Sequence, residues 1–316
     1  MNNRIIWKKD IAPYLNERIL NQICSLPETF LFSLTEIRIS SKGIVSLSSR
    51  NKNIILKDNE KNNFFVSMKE IEDIFLKVCS KTVYRFENQI KNGYITIPGG
   101  HRVGFCGTAV YQKSELVTVK NITSVCFRIS RQIKNAAREI IGNILSGDKI
   151  NSALIVSEPC GGKTTILSDL SRLLSEKGIR CAVIDERGEI CSVFEGSAQK
   201  DVGDLTFIYD GYCKSEGMML ALRTMAPQVI ICDEIGNGNE VLAMLEAMNA
   251  GVPVIATAHA GDEDELLDRP QIEQLVDSGA IDKLIFLKGA KAPCSVKKVI
   301  TVNRYDEDSW NSNNCD

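Results

Sequence analysis

Two kinds of hydrophobic pattern follow one another along this chain. Over roughly the first 146 residues the period keeps changing. Ile11, Leu15, Ile19 and Ile23 lie on one stripe and predict a helix over 10–24. Short stretches at 35–40, 43–48 and 53–57 read as strands. Met68, Ile71, Phe75 and Val78 step by three, four and three, predicting an amphipathic helix over 67–79. Strand patterns return at 93–97, 102–111 and 124–130, with Gly99 and Gly100 placed to turn a hairpin. Ile133, Ala137, Ile140 and Ile144 predict a helix over 132–146. This mixture is α+β.

Beyond residue 150 the apolar runs are short and near-continuous, at 153–156, 181–184, 229–232, 253–256 and 284–287. Such runs suit parallel strands covered on both faces. Helical patterns at 163–177 and 239–249 lie between them. The expected organisation is a smaller α+β domain over 1–146, then an α/β domain with a parallel sheet over 147–305. Gly147 and Asp148 mark the break, and the polar, acidic stretch 306–316 reads as a tail.

Composition removes several function classes. The chain has 316 residues, 44% hydrophobic and 25% charged, which is ordinary for a globular protein. Its net charge is −2, without a basic stripe or interleaved aromatics, so no nucleic-acid partner is expected. Its 11 cysteines include no C-x-x-C pair and it has 2 histidines, which argues against a zinc site. No apolar run approaches the roughly 20 residues that cross a bilayer, and the first residues lack an apolar stretch of signal-peptide length. A cytosolic protein is expected.

The strongest chemical signal is 153-ALIVSEPCGGKTTILSDL-170, a strand running through a glycine-containing loop and Lys-Thr-Thr into a helix. That is the phosphate-binding pattern G-x-x-x-x-G-K-[ST] in its proper context, with Ser157 in place of the first glycine. Gly161 and Gly162 let backbone N–H groups converge on phosphate oxygens, and the helix N-terminus adds positive potential. The nucleotide-binding candidates are Ser157, Glu158, Pro159, Cys160, Gly161, Gly162, Lys163, Thr164 and Thr165. Lys163 is placed to reach the outer phosphates and Thr164 to ligate Mg²⁺. Glu158 is expected to point to water, since turned inward it would repel phosphate.

A second apolar strand ends in acids at 229-VIICDE-234. Asp233 is the candidate to hold Mg²⁺, and Glu234 to orient or deprotonate the attacking water. Acids also follow the strand at 183-VIDERGEI-190, where Asp185, Glu186 and Glu189 fit either a metal-proximal cluster or a solvated turn. His259 ends the strand at 255–260 and fits either a structural or a phosphate-facing place. A guanine-reading N-K-x-D motif is missing after the loop, and 260–283 is acidic where a kinase lid would carry arginines.

GYITIPGGHRVGFCG at 93–107, the phosphate loop, DERGEI at 185–190, GYCKSEGMMLALRTMAPQVIICDEIG at 211–236 and ATAHA at 256–260 occur in this order. Together they resemble the stage III sporulation protein AA family, ATPases similar to the motors of type II secretion and type IV pili. The resemblance implies a RecA-like P-loop ATPase core using ATP and Mg²⁺. It implies an acidic box at Asp185, Glu186 and Glu189 and a histidine box at His259. It makes Arg223 a candidate for phosphate or subunit-interface contact, and Arg102 a contact made to a neighbouring copy. Self-association into a hexameric ring follows from it. So does docking on membrane-embedded channel proteins, from the cytosol on the mother-cell side. The family's loop reads close to Gly-Pro-Pro-Gly-Cys-Gly-Lys-Thr-Thr. Here it is Ser-Glu-Pro-Cys-Gly-Gly-Lys-Thr-Thr, with glycines replaced at 157 and 160. A ring scaffold that binds nucleotide weakly is therefore the alternative to a working motor.

Overall fold

The computed structural model describes residues 6–49, 52–80, 86–91 and 93–302. The stretch expected as a tail at 306–316 lies outside the described residues. Described residues up to Arg131, with Ser192–Gln199, form one compact unit; Gln132–Cys191 and Lys200–Val302 form the other.

In the first unit the helix expected over 10–24 is interrupted. Pro13 lies in a 3₁₀ turn, Ala12–Tyr14, and the chain re-enters helix at α1, Glu17–Cys24. Asn16 caps α1, its Oδ1 accepting from Ile19 N at 2.8 Å. Strands β1 (Leu34–Ile39), β2 (Val45–Ser49) and β3 (Lys52–Ile55) follow. Next come α2 (Met68–Val78), β4 (Tyr94–Ile97), β5 (His101–Gln112) and β6 (Glu115–Arg128). The strands pair antiparallel in the order β3-β2-β1-β6-β5-β4. α2 buries Ile71, Ile74, Phe75 and Val78; Met68, expected on that stripe, lies half exposed in the first turn.

The helix expected over 132–146 is a series of turns in which only Ile141–Ile144 is helical. Asn135 takes a left-handed φ of 65°, and Ala137 N donates to Asp169 Oδ2 at 3.0 Å rather than to a helical carbonyl. Ala137 and Ile140 are nevertheless buried, while Ile133 is exposed. These residues belong to the second compact unit, which therefore begins ahead of the Gly147–Asp148 break.

That unit contains β7 (Ala153–Val156), α3 (Lys163–Glu176), β8 (Cys181–Asp185), β9 (Thr206–Asp210) and α4 (Lys214–Thr224). It continues with β10 (Val229–Glu234), α5 (Gly238–Asn249), β11 (Val254–Ala258), α6 (Pro270–Asp277), β12 (Lys283–Leu287) and β13 (Val296–Thr301). The seven-stranded sheet runs β9-β8-β10-β11-β7-β12-β13, parallel except for β13. All five strands read from apolar runs are present. The edge strands β9 and β13 escaped that reading because their residues are only partly buried and their sequences mixed. β7 pairs with β11 and β12, while the chain after it crosses to β8 beyond β10. Such a reversal of strand order opens a crevice at the carboxyl ends of the strands.

Candidate functional site

The crevice is built from the ends of buried strands. β7 is buried along its length and delivers Ser157, which is 2% exposed. In the loop that follows, Cys160 (φ 64°) and Gly162 (φ 92°) are left-handed. A Cβ on Gly161 would lie 1.8 Å from Ser157 Oγ, and one on Gly162 2.5 Å from Cys294 Sγ. Both glycines are thus required by close packing, and the loop stays tight with Ser157 in the place of the pattern's first glycine. Cys294 N donates to Gly161 O at 2.9 Å, tying the loop to the segment before β13.

α3 begins at Lys163, which is buried. Its Nζ donates to Ser157 O at 2.6 Å and Glu158 O at 3.2 Å, and lies 2.9 Å from His259 Nδ1. Burial pushes the Lys163 ammonium down from its ordinary value, and the charge of Glu234 opposes that shift. His259 Nε2 is 3.3 Å from Glu234 Oε2, and Arg269 approaches the other oxygen at 3.9 Å. Lysine, histidine and glutamate therefore form a chain across the ends of β7, β11 and β10.

These groups face one open cavity of about 380 Å³, lined also by Thr164, Glu186, Glu189, Asp233 and Thr257. Thr164 and Asp233 offer it a hydroxyl and a carboxylate, hard oxygen donors of the kind Mg²⁺ takes. Burial pushes the Asp233 carboxyl up; Lys214 pulls it down, and Asp185 and Glu186 push it up again. A glycine-lined loop ending in a helix N-terminus with a buried lysine fits a phosphate chain.

Other sequence candidates lie elsewhere. Asp185 is fully buried, its oxygens accepting from Glu189 N (2.8 Å), Ile190 N (3.1 Å) and Cys191 N (2.7 Å). It shapes the turn that carries Glu186 and Glu189 and does not line the cavity. Glu158, Pro159 and Cys160 are exposed on the loop. Thr165 is partly buried on α3 and absent from the cavity wall. Arg223 is exposed in the last turn of α4, also away from the wall. Arg102 belongs to the first unit, its guanidinium 4.6 Å from the centroid of the Tyr94 ring.

Among the residues that were not read from the sequence, Lys214 and Glu240 meet the acids of the site. Lys214 opens α4, is 7% exposed, and lies 3.1 Å from Asp233 Oδ1 and 3.4 Å from Glu186 Oε2. Glu240, buried in the first turn of α5, lies 3.3 Å from it. Burial pushes Lys214 down, but Asp233, Glu240 and Glu186 outweigh that and hold it at about 12. A lysine in the first turn of a helix opposes the helix dipole, which is the signal that could have exposed it.

No described helix is long and apolar enough to cross a membrane. Comparison of the fold with solved structures finds the Yersinia pseudotuberculosis ATPase DotB, with a TM-score of 0.59 and 14% identity over 92% of this chain and 81% of that one. The pilus retraction motor PilT with bound ADP matches with a TM-score of 0.54 and 14% identity, over 84% of this chain and 76% of that one. At that identity the likeness establishes the mixed α/β fold with its largely parallel sheet. In sequence, Stage III sporulation protein AA of Bacillus subtilis (strain 168) is 32% identical over 304 residues, 95% of each chain. The family model for Sporulation stage III, protein AA matches residues 8–306, and the chain belongs to that family.

Proposed function

We propose that this chain is a Mg²⁺-dependent ATPase that works as a homo-oligomeric ring, a hexamer by likeness to secretion motors. The observation that carries the reading is the Lys163–His259–Glu234 chain, facing Thr164 and Asp233 across one cavity. When bound, ATP supplies the phosphoryl group to be transferred, and Mg²⁺ neutralises charge on its phosphates. The chain's own residues do the rest. Lys163 exchanges the carbonyls of Ser157 and Glu158 for phosphate oxygens. Thr164 and Asp233 hold the metal. Glu234 takes the proton of the attacking water, and His259 Nε2 orients its carboxylate. Glu186 and Glu189 line the same cavity and complete its acidic wall. Arg102 and Arg223 are assigned to contacts between neighbouring copies, since neither lines this cavity. Two relatives in fold, an ATPase and a pilus retraction motor, support a motor role. Family membership supports a place at the cytosolic face of a sporulation membrane complex, on the mother-cell side, against membrane-embedded channel proteins.

Steady-state Mg²⁺-ATP hydrolysis over a range of protein concentrations tests this. Glu234→Gln should lower kcat about 10²–10⁴-fold, the range of a positioned base, and Lys163→Ala should abolish turnover. Turnover by Lys163→Ala equal to wild type sinks the proposal. A second reading, a scaffold ring with weak nucleotide binding, is favoured by Ser157 and Glu158 in the loop and by the carbonyls that already engage Lys163. Tight ATP binding by Glu234→Gln would eliminate it.

A further inference from the structure

Lys163 and Lys214 are the two buried lysines among the described residues. Lys214 is the harder to account for. It stands at the first position of α4, where the helix dipole opposes a cation. Its Nζ has four oxygen neighbours: Glu234 O at 2.6 Å, Asp233 Oδ1 at 3.1 Å, Glu240 Oε1 at 3.3 Å and Glu186 Oε2 at 3.4 Å. An ammonium has three protons. The bond to Glu234 O has hydrogen-bond geometry, and the three carboxylates surround the ammonium at ion-pair distance. A space-filling apolar side chain would be easier to bury in that position. The arrangement therefore turns on the charge.

Carboxylates from three separate segments converge on one point: the turn after β8, the end of β10 and the first turn of α5. Glu240 is held there by the cap of its own helix, its Oε2 accepting from Gly236 N at 2.7 Å and Asn237 N at 3.2 Å. Converging carboxylate oxygens are what a divalent cation binds. Yet among the described residues no group of three or more His, Cys, Asp or Glu is arranged to hold a metal ion. An ammonium occupies the centre of the place where these three acids meet.

We infer that Lys214 is an internal stand-in for a divalent cation, holding Asp233, Glu186 and Glu240 together and barring Mg²⁺ from the cavity until a nucleotide brings it. The inference rests on reading the cavity as a Mg²⁺-nucleotide site. Lys214 is on this view a positioning residue. It fixes the end of β10 through Glu234 O and leaves Asp233 a single exchange to make, ammonium for metal.

The test uses the full chain without nucleotide and Mn²⁺ as the probe, its binding followed by electron paramagnetic resonance. Lys214→Met should bind Mn²⁺ at least tenfold more tightly than wild type. Adding Asp233→Asn should remove that gain, and Lys214→Arg should stay at the wild-type level. A folded Lys214→Met that binds Mn²⁺ no better than wild type overturns the inference. So does a gain that survives Asp233→Asn. If Lys214→Met does not fold, Lys214→Met with Glu240→Gln removes one buried charge along with the lysine and is judged by the same threshold. Binding of a fluorescent ATP analogue, with Lys163→Ala as control, scores the nucleotide reading separately.

Discussion

Gly161 has room for no side chain because Ser157 stands against it: a Cβ at that position would lie 1.8 Å from the serine Oγ. The serine hydroxyl is buried and has no hydrogen-bond partner among the described residues. Gly161→Ala should therefore overpack the loop, at about 1–3 kcal/mol, and weaken nucleotide binding at least tenfold. Ser157→Gly in the same chain should recover most of the loss. A double variant no better than Gly161→Ala, measured by equilibrium nucleotide binding, would show that the serine is not the obstacle. At this scale the loop was legible, because its residues are consecutive and their spacing is the signal. Lys214 was not, because its partners at 186, 233 and 240 come from three other segments. Asp185 reads like its acidic neighbours in sequence and differs only in where its oxygens point.

Among the elements, α2 carries the clearest pH-dependent feature. Ser67 and Glu70 form a reciprocal cap, and Glu70 also meets Arg18 at 3.0 Å and Asn16 at 2.5 Å. Partial burial pushes the Glu70 carboxyl up; hydrogen bonds from Ser67 N, Arg18, Ser67 Oγ and Asn16 outweigh it and hold it at about 2 against an ordinary 4.5. A depressed carboxylate stabilises the fold above its unfolded value and loses that contribution as pH falls. The stability α2 gains should be complete above pH 4.5 and vanish as pH drops towards about 2. Glu70→Gln should lose about 1 kcal/mol at neutral pH, the worth of a cap, and flatten that acid dependence in denaturant titrations. In α3, Asp169 is fully buried, pairs with Arg172 at 2.6 Å and accepts from Ala137 N. Asp169→Ala leaves the buried Arg172 with Glu176 alone as its acid partner and strips Ala137 N of its acceptor, and should cost about 3–5 kcal/mol in chemical unfolding. The helical stripe over 132–146 was read correctly as buried at Ala137 and Ile140. It was misread as regular helix, because Asp169 competes for a backbone donor that periodicity cannot see.

For the whole molecule, the cavity-lining residues from Lys163 to His259 all belong to the second compact unit. Mg²⁺-ATP at a hundred times its Kd should add about 2.7 kcal/mol to that unit's stability. Hydrogen exchange should show the protection at 157–165 and 233–237. Protection confined to the six-stranded unit would contradict the assignment of the cavity. The parallel core of the sheet was legible because strands covered on both faces must be apolar throughout. The edge strands and the small hairpin, Val193–Phe194 with Ser197–Ala198, were not, since half-buried residues leave no continuous run. The chain's return to the first unit at Ser192–Gln199 has no sequence marker at all.

By itself the sequence determined which strands are central, where the glycine-containing loop lies and which acids end a strand, because each of these is a local pattern of consecutive residues. Tertiary structure alone decided that Asp185 shapes a turn while Glu186 and Glu189 line the cavity. It also decided that His259 bridges Lys163 and Glu234, and that a lysine sits among three carboxylates. Those facts depend on strand order, which brings residues far apart in the chain to one edge of the sheet, and charges find their partners only across that edge.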